Sequence, residues 1–584
     1  MDAQCSKADE IQAGSPPCTV TFFRRHFMVF SSIPFLFYFL PLCLILYYLV
    51  PFRWKNYVLL AFSLLFYAWG EPVYILLMIF ETLSDYTLGR VMDRADQRPA
   101  IRRLCLLLSV LIDLGCLGFF KYADFLVETV NALAGTTITP LHLGLPIGIS
   151  FFTFQTMSYT IDLYKREVAV EKNYFYYLTY VSMFPQLIAG PIVRFSTVNK
   201  ELHARAITFD GFVDGGLRFL QGLFKKVLLA NTIGAVWELI KSSAFTMGPA
   251  AASADASVQG IVTSLQTVLG PGATISVLGA WLGGLCFTLQ LYFDFSAYSD
   301  MAIGMGRMLG FHYLENFNYP LSSVSVTDFW RRWHISLSTW FRDYVYIPLG
   351  GNRLGKWKQL RNMFVVWFLT GLWHGAAWNF VLWGLYYGGL LAFEKDVWRS
   401  ALRKLPRILQ HLYAILIVIF GFIIFVFDDM TQLGQYIRIM FGMAGVPLVN
   451  STLLWYLRNN FATLIVGCIL AFPVYPWLRA KLQKRIDLCA GATCHAEETA
   501  FAENHPSDAG SIVHGNANGD VTAKSHTSSA KCIDHTNTGG SIVAAHRIVT
   551  LSTVLTALGY LVLFLLTTAY LVNDSYNPFL YFRF

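Results

Sequence analysis

The chain has 584 residues, 55% of them hydrophobic, 16% aromatic and only 14% charged, with a mean hydropathy of +0.48. Soluble domains carry about 25% charged residues, so a water-soluble globular protein is excluded and a membrane protein is implied. The formal net charge of +8 does not call for nucleic acid, because Lys and Arg fall in short clusters between apolar runs, as in loops that set membrane orientation.

In chain order, residues 1–27 form a polar N-terminal extension carrying Arg24 and Arg25, after which Phe27 to Val50 run without a charge. That run is long enough to span a bilayer and too long for the core of a signal peptide. It is expected to be a retained first span. Met28 opens it and is a candidate start of translation; N-terminal sequencing that found residues before Met28 excludes that start.

Further apolar stretches fall near 56–88, broken at Gly70-Glu71-Pro72, and at 104–120, 143–163, 174–193, 215–240, 257–293, 361–393, 408–427, 453–478 and 549–572. At ~20 residues per pass they predict about eleven or twelve spans. The runs are too long and too unalternating for a barrel, and lipid leaves backbone polar groups only internal partners. The predicted fold is therefore all-α, a polytopic transmembrane helical bundle with short interfacial helices, its core covering residues 28–486.

Three basic clusters bear on orientation: Arg90, Arg94, Arg98, Arg102 and Arg103; Lys395, Arg399, Arg403, Lys404 and Arg407; and Arg479, Lys481, Lys484 and Arg485. Two apolar runs separate the last two clusters, which places both on one side, expected to be cytoplasmic. The cysteines lie scattered in apolar segments (Cys43, Cys105, Cys116, Cys286, Cys468) without the spacing of a disulfide framework.

Residues 487–548 are rich in Ala, Gly, Ser, Thr, Asn and His and cannot bury enough apolar surface to fold alone. They are expected to form a disordered polar cytoplasmic loop. Cys489, Cys494, His495, Cys532 and His535 lie there, yet Cys-x4-Cys-His is no standard zinc or haem spacing, so no metal site is expected. Residues 549–584 are the final span and an aromatic C-terminus.

Chemistry is sought where ionisable residues persist in membrane segments, since they are costly there. His374 lies in the most apolar setting of any histidine, with Gly371 and Gly375 around it at four-residue spacing, which admits a neighbouring helix or a substrate. A neutral imidazole is suited to take a proton from a hydroxyl. The plainer alternative is a core histidine bonded to a neighbouring helix. His334 lies in a stretch, 327–343, that at helical period places Phe329, Trp330, Trp333, Leu337, Trp340, Phe341 and Tyr344 on one face and Arg331 and Arg342 opposite. That pattern predicts an amphipathic helix lying at the membrane surface; the sharper alternative points His334 into a site, where it orients an acyl donor or stabilises developing negative charge.

Gly304-Met-Gly306-Arg-Met-Leu-Gly310 lacks the spacing of a nucleotide loop and reads as small-residue helix packing. No Gly-x-Ser-x-Gly elbow, Walker motif or His-Glu-x-x-His pair is present. Direct transfer to a bound hydroxyl with histidine as base is the simplest chemistry that remains.

Leu145-Pro-Ile-Gly-Ile-Ser-Phe-Phe-Thr-Phe-Gln155, Phe184-Pro-Gln-Leu-Ile-Ala-Gly-Pro191, Asp294-Phe-Ser-Ala-Tyr-Ser-Asp300, Glu315-Asn-Phe-Asn-Tyr-Pro320, Asp328-Phe-Trp-Arg-Arg-Trp-His334 and Gly371-Leu-Trp-His-Gly375 resemble the membrane-bound O-acyltransferase family. Within it they are similar to the bacterial alginate and peptidoglycan O-acetylation branch. The resemblance implies a bundle hollowed by a funnel and tunnel, in the bacterial inner membrane, with His374 as the essential catalytic histidine and His334 as a second one. It implies no bound cofactor. An acetyl group from acetyl-CoA or another cytoplasmic acyl thioester would pass outward, and a periplasmic hydrolase-like acetyltransferase partner would place it on a polysaccharide. Gln186, Asp294 and Arg331 are polar residues near the pathway without an assigned role.

The C-terminus, Asn577 to Phe584, resembles the ends of small partner peptides in the D-alanylating branch. That makes Tyr581 a candidate acyl relay through its phenolic oxygen, against the simpler reading of an aromatic anchor at the membrane interface. Two other functions stay open at this stage: D-alanyl transfer to teichoic acids, which shares the chemistry, and a transporter or flippase. The absence of an internal repeat speaks against the transporter.

Overall fold

The computed structural model describes residues 28–188, 190–245, 275–474, 476–478, 480–481 and 539–573, with residues 539–553 described by backbone alone. Every regular element among them is helical and no strand occurs among them, as a chain of long apolar runs demands in lipid. The fold is all-α, as expected.

Five described helices are long and apolar enough to cross a membrane on length and composition alone: Pro99–Ala134, Val277–Met308, Arg407–Val426, Ser451–Leu470 and Val554–Asn573. The expected eleven or twelve passes exceed that number, because other helices are shorter, broken or carry buried polar groups. Ile75–Arg94, for example, encloses Glu81 and Asp85, both fully buried. The last helix starts at Gly539, ahead of the apolar run at 549, since Ala and other helix formers extend it beyond its most apolar part. The remainder of 487–548 and residues 1–27 lie outside the described residues.

Val277–Met308 is the central post, with 78% of its most apolar window buried. The Phe209–Phe224 helix crosses it at glycines: a Cβ on Gly304 would lie 2.6 Å from the Phe219 nitrogen and one on Gly215 2.8 Å from the Met308 nitrogen. Only glycines allow backbones that close, so Gly304 serves packing, as its spacing suggested. Both carboxylates on the post are paired. Asp294 meets Lys226 at 2.7 Å, and Asp300 meets Arg218 at 2.6 Å, which also holds Glu315 at 2.7 Å. This second network ties the loop after the post, residues 309–319, to the helix it leaves.

Arg102 departs from its expected place in an orientation-setting loop. It is buried, donating to the carbonyls of Met92, Leu163 and Tyr164 at 3.1, 3.0 and 2.9 Å. These belong to the ends of Ile75–Arg94 and Ile149–Lys165, where carbonyls lack helical partners and a cation is favoured.

Residues 327–343 also differ from expectation. They form no single amphipathic helix but two short ones, Val326–Arg332 and Ile335–Phe341, followed by a π-helical turn, Arg342–Tyr346. The break falls at His334, whose φ of 46° and ψ of 56° are left-handed. Its aromatics face protein rather than a membrane surface: Phe329, Trp330, Trp333, Trp340 and Phe341 are all buried. The bend persists because its neighbours meet the freed backbone groups. The Asn316 carbonyl accepts from Ile335 N at 3.0 Å, and Asn318 N donates to the Arg332 carbonyl at 2.9 Å. At the other end of the first helix, both Glu394 carboxylate oxygens accept backbone N–H groups, from Val326 at 2.8 Å and Thr327 at 2.9 Å. A carboxylate suits a helix N-terminus.

Candidate functional site

A cavity of about 280 Å³ opens between the bent 326–346 segment and the Lys356–His374 helix. His334 and His374 both line it, together with Trp330, Arg331, Ser338, Arg342 and Thr370. The two histidines, 40 positions apart in sequence, thus share one chamber. Of the three polar residues left without a role, only Arg331 lines it: Asp294 is held by Lys226, and Gln186 is buried with its amide on the Tyr180 carbonyl at 2.5 Å. Tyr581 lies outside the described residues.

His334 stands on the polar wall. Its Nδ1 lies 3.2 Å from Asn316 Oδ1, and the same Asn316 atom receives the Ser336 backbone N–H at 3.2 Å and the Ser336 hydroxyl at 2.9 Å. A backbone N–H only donates, so the Asn316 atom facing it is the carbonyl oxygen, and an oxygen that accepts there requires Nδ1 of His334 to be the donor. The neutral ring therefore carries its proton on Nδ1, which leaves Nε2 as its basic nitrogen. The edge of Phe295, with ring centroids 4.8 Å apart, fixes the ring plane.

His374 stands on the aromatic wall. It ends the Lys356–His374 helix, and Trp383 and Phe425 meet its ring edge-on at centroid distances of 5.0 and 5.1 Å. Its Nδ1 has no hydrogen-bond partner among the described residues. Gly371 lies against Gly384 of the Trp378–Phe393 helix, where a Cβ on Gly371 would approach Gly384 Cα to 3.3 Å, and a Cβ on Gly375 would enter the Phe380 ring. The glycines around His374 accordingly admit a neighbouring helix, one of the two purposes their spacing allowed. Asn379 secures the next helix by donating to the Phe425 carbonyl at 2.9 Å.

Several residues that shape the site were not singled out in the sequence. Asn316 lies inside the Glu315–Pro320 motif, but its contact with His334 depends on a loop fold that no periodicity records. Glu394 caps from a helix distant in sequence. Lys121 is a lone charge at the end of the 104–120 run, and that feature, the same that marks the histidines, was its available signal. The chamber presents imidazoles, hydroxyls and two guanidinium groups, Arg331 and Arg342. That set can move protons and hold an anionic or polarised carbonyl substrate.

The model of the MBOAT, membrane-bound O-acyltransferase family matches residues 164–433, which include both histidines. The chain is 36% identical over 561 residues to a probable alginate O-acetylase of Azotobacter vinelandii, covering 95% of this chain and 100% of that one. It is 31% identical over 468 residues to the peptidoglycan O-acetyltransferase of Helicobacter pylori, covering 74% and 83%. With the teichoic acid D-alanyltransferase of Bacillus subtilis it shares 28% identity over 303 residues, 48% of this chain and 68% of the relative. An all-helical fold among the described residues and relatives 31–36% identical, matched over 83–100% of their length, lead to one conclusion: this chain belongs to the membrane-bound O-acyltransferase family and is an O-acyltransferase.

Proposed function

We propose that this protein takes an acetyl group from a cytoplasmic thioester and passes it across the bacterial inner membrane for O-acetylation of an extracytoplasmic polysaccharide, with His374 as general base. The observation that carries the reading is the convergence of the buried His334 and His374 on one cavity. The relatives matched over most of their length are named for acetylating alginate and peptidoglycan, whereas the D-alanyl relative matches less of the chain and at lower identity.

The acceptor hydroxyl gives its proton to the His374 imidazole as its oxygen attacks the thioester carbonyl. The tetrahedral intermediate then expels a thiolate, and the imidazolium returns the proton to sulfur, so charge and protons balance. His334, held by Asn316 with its proton on Nδ1, orients the acyl donor by accepting a hydrogen bond at Nε2. Arg331 and Arg342 at the same chamber suit the phosphates of a donor such as acetyl-CoA. A periplasmic hydrolase-like acetyltransferase would receive the acetyl group for delivery to the polymer.

The test compares base-labile acetate on envelope and secreted polysaccharide from cells with wild type, His374→Ala or no protein, at matched membrane abundance. Restoration by wild type alone supports the reading. Equal restoration by His374→Ala overturns the assignment of the base, and no ester from wild type overturns acetyl as the cargo.

A further inference from the structure

The proposed base is the last residue of its helix, and helix ends leave carbonyls without partners. Gly375 continues in extended conformation, φ −170°, so no left-handed turn folds back to cap them. Inside a membrane such carbonyls must find other donors. Two of them, Leu372 and Trp373, find adjacent residues of the distant Pro99–Ala134 helix: the Tyr122 hydroxyl donates to the Leu372 carbonyl and the Lys121 ammonium to the Trp373 carbonyl. Lys121 further reaches Ser150 Oγ at 3.4 Å and lies 5.9 Å from the Trp373 ring centroid. Trp373 is pinned from the same side, its Nε1 donating to the Ser150 carbonyl at 3.4 Å.

Lys121 is buried and makes no ion pair among the described residues. An unpaired ammonium is costly inside a membrane protein, and a packing role alone would be served by a neutral side chain. The opposite end of the same helix face provides the comparison. Arg102 also caps helix carbonyls, but the turn it caps carries none of the chamber's lining residues. Lys121 caps the turn that ends on His374. Lys121 does not line the cavity, so it acts through the histidine rather than on substrate.

We propose that Lys121 and Tyr122 form a clamp that positions His374 for proton transfer by holding the carbonyls of Leu372 and Trp373. The proposal rests on the reading of His374 as the base. A displacement of about 1 Å in a reacting group costs on the order of a hundredfold in rate, so loss of the clamp is expected to show in turnover before it shows in folding.

The experiment measures the initial rate of ester-acetate formation in cells at matched membrane abundance, with the melting temperature of each purified variant in detergent. Lys121→Met is expected to lower the rate by about tenfold or more, with Lys121→Arg restoring it to within about threefold and Tyr122→Phe lowering it by about threefold. Melting temperatures should stay near that of wild type. A Lys121→Met rate near wild type, an Arg variant no better than Met, or rate losses that merely follow melting temperature each overturn the clamp. Should Lys121→Met fail to accumulate, an undiminished rate in Tyr122→Phe overturns it as well. A parallel His374→Ala arm separates the two ideas: activity in that variant removes the base itself, while an inactive His374→Ala beside an active Lys121→Met removes only the clamp.

Discussion

The two walls of the chamber hold their histidines by opposite means. On the polar wall, one amide oxygen of Asn316 gathers His334 and Ser336 at a left-handed bend, so orientation and tautomer follow from directional hydrogen bonds. On the aromatic wall, the edges of Trp383 and Phe425 restrict the His374 ring plane while Nδ1 keeps no partner among the described residues. A ring fixed by hydrogen bonds is suited to hold a group still; one fixed by packing has no hydrogen bond at its buried Nδ1 among the described residues. The proposed roles, orientation for His334 and base chemistry for His374, draw on this contrast.

The sharpest way to break this comparison is to remove each ring. His374→Gln, which keeps a polar side chain of similar size, should lower the initial acetylation rate by about a hundredfold or more, the ordinary contribution of a general base. His334→Ala should cost less, about tenfold to a hundredfold, since it removes a group that orients the donor rather than the base itself. If His334→Ala proved the more damaging, the roles of the two walls would be exchanged. Next in size, Asn316→Ala strips the acceptor from the His334 ring and from Ser336 N–H. Each buried donor left unmatched costs about 1–3 kcal/mol, so both rate and melting temperature should fall. Combined with His334→Ala, the rate effects should be far from additive, as for residues in one network. The smallest effect is expected outside both walls: Leu558 is exposed on a helix window only 6% buried, and Leu558→Ala should leave the rate unchanged.

Hydropathy made the helical membrane class legible, because an apolar run of sufficient length has only one backbone solution in lipid. It marked both histidines too, as ionisable groups where such groups are costly. Hydropathy ranks lipid exposure, however, not importance to the core. The central Val277–Met308 helix has a lower window hydropathy, 1.2, than the peripheral Val554–Asn573 helix, 2.0, because it faces protein and carries Asp294 and Asp300 with their partners. The 327–343 stretch misled for a related reason. Its helical periodicity is real, yet bonds from Asn316 and Asn318, carried by a loop, bend it at His334.

The sequence by itself determined the class of the molecule, the candidate rings and, through its motifs, the family resemblance, since composition and local order suffice for each. Only the tertiary structure decided that the two rings face one cavity, that Asn316 sets a tautomer, that Glu394 starts a helix and that Lys121 finishes one. Those contacts join residues as many as 252 positions apart. A buried polar atom takes whichever partner the packing brings within about 3 Å, and separation along the chain carries no record of that choice.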